Sequence, residues 1–455
     1  MNTEIKEMKN RTFDVVIVGG GISGSALTYM LSKYTNVGSV AMLEKYGSLA
    51  PLNSHARSNS QTLHCGDIET NYTLAKAKLV KQQANMIVHY ASQVEKNDFL
   101  YKFPKMILAV GEDECERLEK RHEEFAEAFP YMELWDAERI AEVEPAVALI
   151  DGKPRPEKII ASGCTDEYSA VNFGNLSKSF INSARNGSTE INVSLSSEVE
   201  KIAKYDDHYE LTTPQGTFLA KFVVVSAGAH SLLLANQLGH GMDMSILPMA
   251  GSFYYVPKML NGKVYTMQND KLPFAALHGD PDLIELNKTR LGPTALVLPK
   301  LERYTGGTYW DFWKSLKLDF KVIKVFWNLM KDSTIRNYIF RNFAFEIPKI
   351  RQKLFAKDAS KIIPSLKPED LEYAQGIGGL RPQVIDKTTM ELKLGEASIV
   401  PEDENLIFNM TPSPGATTCL GNAYRDAQII AERLGLELDR EAVINDLLGG
   451  TDMPR

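Results

Sequence analysis

Phe13-Asp-Val-Val-Ile-Val-Gly-Gly-Gly-Ile-Ser-Gly24 is the stretch whose reading decides the fold. Its first six residues form a β-branched run of the kind that makes a buried parallel strand. Gly19 to Gly24 follow without a gap, SALTYMLSKY then carries helical periodicity, and Ser39-Val-Ala-Met-Leu43 reads as a second strand ending at Glu44. The glycines fall as G-x-G-x-x-G at a strand–turn–helix junction, with an acid 20 residues after Gly24. Gly19 permits the tight turn, Gly21 lets the backbone approach a pyrophosphate, and Gly24 lets helix and strand pack closely. The helix N-terminus faces the phosphates, and Glu44 can accept from ribose hydroxyls. Alone the glycine spacing is weak evidence. With flanking strands and the acid in place it specifies a dinucleotide-binding unit.

The rest of the chain bounds what that unit serves. At 455 residues, 44% hydrophobic and 24% charged, it is long and apolar enough for a large two-domain enzyme with a sizeable core. A net charge of −7 leaves no basic excess for a nucleic-acid partner. Cys65, Cys115, Cys164 and Cys419 are widely spaced, which argues against structural zinc, any other metal site and a disulfide framework, and fits a reducing cytoplasm. The first residues, MNTEIKEMKNR, lack the apolar core of a secretory signal, and no run approaches 18 apolar residues, so any membrane contact is expected to be peripheral.

Which dinucleotide is bound follows from what comes next. NAD enzymes tend to continue strand and helix in alternation. Here Glu44 leads into a long polar loop containing SNSQTLHCG, Ser58 to Gly66, with no early third strand. Loops this long inside a compact fold are usually functional. From Glu198 to Ala229 the pattern is strand, turn, strand, then a strong apolar strand Phe222–Ser226 with a glycine turn behind it. That meander, with Val199 at its start and Ala227 and Gly228 in the turn, resembles the second nucleotide contact of flavoproteins and favours FAD. Leu406–Met410 is strand-like, Pro412 and Pro414 break it, and a helical pattern with Ala423, Ala427, Ile430 and Leu434 on one stripe follows. Gly415, Ala416, Thr417 and Thr418 are expected to form that helix's start, whose free N–H groups and dipole would stabilise negative charge on a reduced flavin.

Together these residues resemble the FAD-dependent oxidoreductases of the D-amino-acid-oxidase superfamily, and within it the malate:quinone oxidoreductases of the shorter, epsilonproteobacterial form. The resemblance covers nearly the whole chain and is carried by VVIVGGGISG, SNSQTLHCGDIETNY, PMAGSFYYVP, GKVYTMQNDKLPFAALHGDPD, KTRLGPTAL, KIIPSL, RPQVID and FNMTPSPGATTCL. It implies an α/β fold: a Rossmann-like FAD-binding domain of the D-amino-acid-oxidase and glutathione-reductase type, with a mixed-sheet α+β substrate domain. It also implies oxidation of (S)-malate to oxaloacetate, electron delivery to a membrane quinone, and peripheral attachment at the inner face of the cytoplasmic membrane. In such folds the loop after the acid runs along the flavin, so Ser58, Asn59, Ser60 and Gln61 would contact its ribityl–pyrophosphate region. His64 and Gly66 would then lie near the isoalloxazine, and His64 is counted among the expected catalytic residues.

Malate carries two carboxylates and a C2 hydroxyl, so its site needs cations and a base. A neutral imidazole suits the base. His278 is the candidate, because it ends the apolar stretch LPFAALH and leads into Gly279-Asp280-Pro281. From the resemblance and charge matching, Arg290 and Arg381 are expected to clamp the carboxylates. There is no second strand-flanked G-x-G-x-x-G, so the organic substrate itself should be the electron donor. Another 2-hydroxy acid such as 2-hydroxyglutarate, an amino acid with oxygen as acceptor, and a noncatalytic FAD-binding role stay open on the residues.

The FAD domain is expected to comprise residues 10–100, 155–245 and 370–445, and the substrate domain 101–154 and 246–369. The tail TDMPR is expected to be disordered. Within the substrate domain, Lys314 to Lys361 holds twelve Lys and Arg against four Asp and Glu. Phe312, Leu316, Phe320, Ile323, Trp327 and Met330 recur at helical spacing, with Lys314, Lys317, Lys321, Lys324 and Lys331 on the opposite face. The segment 310–361 therefore reads as a basic amphipathic membrane contact.

Overall fold

The computed structural model describes residues 12–268, 277–348, 350–393, 396–411 and 414–451. Most of the LPFAALH stretch, Pro412, and the tail beyond Thr451 lie outside the described residues, as does the polar N-terminus through Arg11.

The dinucleotide unit forms as its residues dictate. Thr12–Val18 pairs in parallel with Ser39–Leu43 on one side and with Gly216–Val225 on the other, Val15 opposite both Val40 and Phe222. These strands are buried on both faces, which is why they read as unbroken apolar runs. The helix Ile22–Tyr34 returns between the first two strands. Glu190–Ser194 extends the sheet in parallel beyond Ser39–Leu43, so the third strand arrives almost 150 residues later, as the missing early strand implies. The meander is Lys201–Lys204, Tyr209–Thr213 and Gly216–Val225, each antiparallel to the next. Leu406–Met410 closes the sheet in parallel against Val223–Val225, making eight strands with Ala397–Ile399. Helices Ile22–Tyr34, Leu74–Gln93, Phe173–Arg185 and Cys419–Leu434 share one core with it, in which Tyr29, Tyr90 and Phe180 pack ring to ring.

A second eight-stranded sheet runs Glu372–Tyr373, Tyr254–Pro257, Lys288–Gly292, His278–Pro281, Lys263–Thr266, Lys105–Val110, Ile159–Cys164, Glu133–Trp135. It is antiparallel except where Lys263–Thr266 meets Lys105–Val110. A four-stranded sheet runs in the order Leu296–Val297, Met244–Ala250, Leu380–Asp386, Glu391–Lys393.

The basic segment departs from its expected form. It is not one stripe but two helices, Thr308–Leu316 and Phe320–Lys331, followed by Ser333–Ala344. Lys317 adopts a left-handed conformation that ends the first helix, and the Asp319 side chain caps the second by accepting from the Val322 N–H. The break reverses the facing. Phe312 and Leu316 pack inward with Val322 and Val325, whereas Phe320, Ile323 and Trp327 are exposed. Lys314, Lys321, Lys324 and Lys331 share that exposed side instead of opposing it. Trp310, Trp313, Phe340, Phe343 and Ile347 are exposed as well. No helix among the described residues is long and apolar enough to cross a membrane.

Candidate functional site

A cavity of about 550 Å³ runs from the dinucleotide unit to the far end of the polar loop. Its floor is the glycine turn. Gly19 has φ +110°, and a Cβ there would stand 2.4 Å from the Ser226 carbonyl oxygen. A Cβ on Gly24 would stand 2.1 Å from the Gly19 carbonyl oxygen, the close helix–strand approach the spacing calls for. Gly21 caps the helix from within the cavity wall. Glu44 is also in the wall, 6% exposed, its two oxygens accepting from the backbone N–H groups of Gly20 (2.7 Å) and Tyr46 (2.9 Å). Burial raises its carboxyl above the ordinary value, against those two hydrogen bonds.

At the end beside Glu44 the wall holds Val199, Ala227 and Gly228, the last at φ +60°. Sequence reasoning missed four further groups there. Lys45 and Tyr46 both meet Glu302, which arrives from more than 250 residues away, at 3.3 and 2.5 Å. His230 faces the same carboxylate, and its buried Nε2 has no hydrogen-bond partner. Only Lys45 and Tyr46, directly after the acid, carried any local signal. A glycine cradle at a helix start, a carboxylate one strand away, and an orphaned buried nitrogen in one elongated cavity fit an extended dinucleotide.

The rest of the wall receives Ser58, Asn59, Ser60, Thr62 and His64 from the polar loop, Gly415 and Ala416 from the C-terminal segment, and Arg381. Gln61 is not with them. It is fully buried and turned away, its amide bonded to the Ala56 carbonyl and to the Leu283 N–H. Gly415 to Thr418 do not begin the helix, which starts at Cys419, but form a turn in front of it. Thr417 Oγ1 accepts from the His64 N–H at 3.1 Å, and Thr418 donates to Glu396. His64 Nδ1 lies 2.5 Å from Glu69 Oε1. Arg381 is held below its ordinary pKa by burial, with Tyr265, Tyr338 and Tyr72 around it.

His278 and Arg290 stand one layer behind that wall. His278 opens a strand, His278–Pro281, instead of ending one, and is 1% exposed. Its Nδ1 is 2.6 Å from Asp280 Oδ2, the same-face partner two residues along the strand. Lys263 Nζ holds the other oxygen at 2.9 Å and reaches Thr62 Oγ1 at 3.2 Å. Tyr265 stacks on the imidazole at 4.4 Å and bonds Thr62 at 2.7 Å. Burial lowers the His278 pKa despite the aspartate beside it. Arg290 is fully buried, 3.5 Å from Asp282 and stacked over Phe253, with Nε and Nη2 unpartnered. It is thus not placed as a clamp on the cavity wall. The alternation of a strand could have revealed Asp280; nothing local could have revealed Lys263. Among the described residues no group of side chains is arranged to hold a metal ion.

The family model for malate:quinone oxidoreductase matches residues 11–423. The chain belongs to the malate:quinone oxidoreductase family. It is 52% identical over 449 residues to the probable malate:quinone oxidoreductase of Campylobacter jejuni, covering 97% of this chain and all of that one. It is 47% identical over 440 residues to the malate:quinone oxidoreductase of Helicobacter pylori, covering 96% and 98%. Solved structures share the fold at lower identity. They include the FAD-bound L-alpha-glycerophosphate oxidase of Mycoplasma pneumoniae (TM-score 0.66, 20% identity, 98% and 100% coverage) and the glycine oxidase of Geobacillus kaustophilus (TM-score 0.63, 19%, 93% and 95%). The chain is therefore an oxidoreductase with the fold of the FAD-dependent enzymes, as its glycine turn and meander imply.

Proposed function

We propose that this chain binds FAD in the long cavity, oxidises (S)-malate to oxaloacetate at the His64–Arg381 end, and passes the electrons to a quinone at the inner face of the cytoplasmic membrane. The observation that carries the reading is Arg381 in the wall of the same cavity that the glycine cradle lines, in a chain of this family. FAD supplies the two-electron acceptor that no side chain offers. Gly19 and Gly21 admit the pyrophosphate, the helix start at Ile22 favours its charge, and Glu44 takes ribose hydroxyls. Val199, Ala227 and Gly228 flank the nucleotide, Ser58, Asn59 and Ser60 the chain between its ends, and Gly415 and Ala416 the ring end. Arg381 offers a planar two-point donor to one substrate carboxylate. Surface attachment is supported by exposed Phe320, Ile323 and Trp327 interleaved with Lys321 and Lys324.

The test is anaerobic bleaching of the purified flavoprotein. Malate should reduce the flavin fully, and 2-hydroxyglutarate and lactate far more slowly. Faster bleaching by either of those acids would reassign the substrate, and no bleaching by any would remove the catalytic reading.

A further inference from the structure

Two histidines lie in the cavity wall, and only one is at the Arg381 end. His230 belongs to the other end, beside Lys45 and Glu302. His278 is 1% exposed behind Thr62 and Tyr265. His64 lines the cavity. Its backbone N–H is tied to Thr417, in the same turn that sends Gly415 and Ala416 to the wall. Its ring is tied to Glu69, 7% exposed, through Nδ1 at 2.5 Å. Glu69 is fixed from behind, its carbonyl accepting from Arg121 at 2.9 Å. Its second oxygen, Oε2, is buried and has no hydrogen-bond partner. A buried acceptor without a donor is costly, and the charges of both Glu69 and Arg381 act on the Tyr72 hydroxyl.

We propose that His64 is the catalytic base of this site and Glu69 its positioning residue. The assignment rests on the reading of the substrate as a 2-hydroxy acid held by Arg381. With Nδ1–H donated to Glu69, the lone pair is on Nε2. The substrate O–H bond breaks with its proton going to Nε2, and the C2–H bond breaks with its hydrogen and both electrons going to the flavin. The C2=O bond forms, and the imidazolium is stabilised by the Glu69 carboxylate. One turn of loop, five residues from His64 to Glu69, thus carries both members of the pair.

The experiment is stopped-flow reduction of the holoenzyme by malate, with limiting rate and malate affinity read separately. His64→Ala should keep FAD, bind malate as wild type does, and lose about 10²–10⁴-fold in limiting rate. Added imidazole should restore part of that loss, which a purely structural residue would not permit. His64→Gln, which keeps a hydrogen-bonding side chain but no base, should lose the rate equally and serves if the alanine variant fails to hold FAD. Glu69→Gln should slow reduction without imidazole rescue. A limiting rate within about three-fold of wild type in either His64 variant, far short of a base's contribution, overturns the assignment. So does imidazole rescue of His278→Ala and not of His64→Ala. Wild type that malate does not bleach overturns the malate reading itself, and the base assignment with it.

Discussion

Two residues separate binding of the nucleotide from binding of the substrate. A Cβ at Gly21 meets Ser54 Oγ at 3.1 Å, and the larger branches of valine would fill the space a pyrophosphate needs. Gly21→Val should therefore purify with little or no flavin absorbance, while a full flavin spectrum would move the phosphate site elsewhere. Arg381→Lys keeps the charge but loses the planar fork. Its expected signature is weaker malate binding with FAD retained and the limiting reduction rate less affected, the pattern of lost ground-state binding. Unchanged malate affinity would count against Arg381 as the clamp. How far the site could be read from sequence divides along the same line. Gly24 and Glu44 meet Gly19 and Gly20 within one strand–turn–helix–strand unit, so that part of the glycine turn was legible from spacing and its flanking strands. His278 is packed by Tyr265 of the neighbouring strand, and Arg290 meets Asp282 and the distant Ala56 carbonyl. Which of them faces the cavity depends on strand pairing, and both stand behind the wall. Gln61 was unreadable for a similar reason, since its amide partner is Leu283.

The helical elements carry the surface prediction. Sequence periodicity found amphipathic character between Thr308 and Lys331 but ran one stripe through Lys317, where the chain turns left-handed and the inward face changes. A single residue with positive φ is invisible to a periodicity of apolar residues, whereas the lysines and tryptophans were in plain view. The resulting outer face mixes aromatic rings with ammonium groups, so its attraction to a bilayer should have an apolar part and a salt-sensitive part. Binding to anionic vesicles should weaken as salt rises. Phe320→Ser with Trp327→Ser should lower binding at every salt concentration, and Lys321→Glu with Lys324→Glu mainly at low salt. Both pairs should spare malate reduction of a soluble dye while slowing turnover with a quinone held in the vesicles. Equal sedimentation of both double variants and wild type at low salt would place the contact elsewhere.

Across the whole molecule, the polar loop after Glu44 does more than line the cavity. It is the seam between the dinucleotide-binding sheet and the second eight-stranded sheet. Lys105 donates to Asp67 at 2.5 Å, both fully buried, and Tyr131 meets the same oxygen at 2.7 Å. Arg290 reaches the Ala56 carbonyl, and Lys263 the Ser60 carbonyl and Thr62. Removing one charge from such a pair strands the other, at a cost of about 3–5 kcal/mol. Asp67→Asn should therefore lower the melting temperature by several degrees even with FAD bound, and an unchanged melting curve would contradict the role given to the pair. Burial opposes ionisation of Asp67 and Asp280, but Lys105 at one, and His278 and Lys263 at the other, hold both below the ordinary carboxylate value. Groups depressed in this way contribute fully above their unfolded pKa of about 3.9 and lose that contribution as the pH falls below it. A seam built from buried ion pairs also has a consequence for how the protein comes apart. Neither half can melt first without leaving charges in the half that stays folded stripped of their partners. In calorimetry the molecule should show one endotherm whose van't Hoff and measured enthalpies agree, and a protease should release no surviving half. Two resolved endotherms would mean that the halves are independent after all.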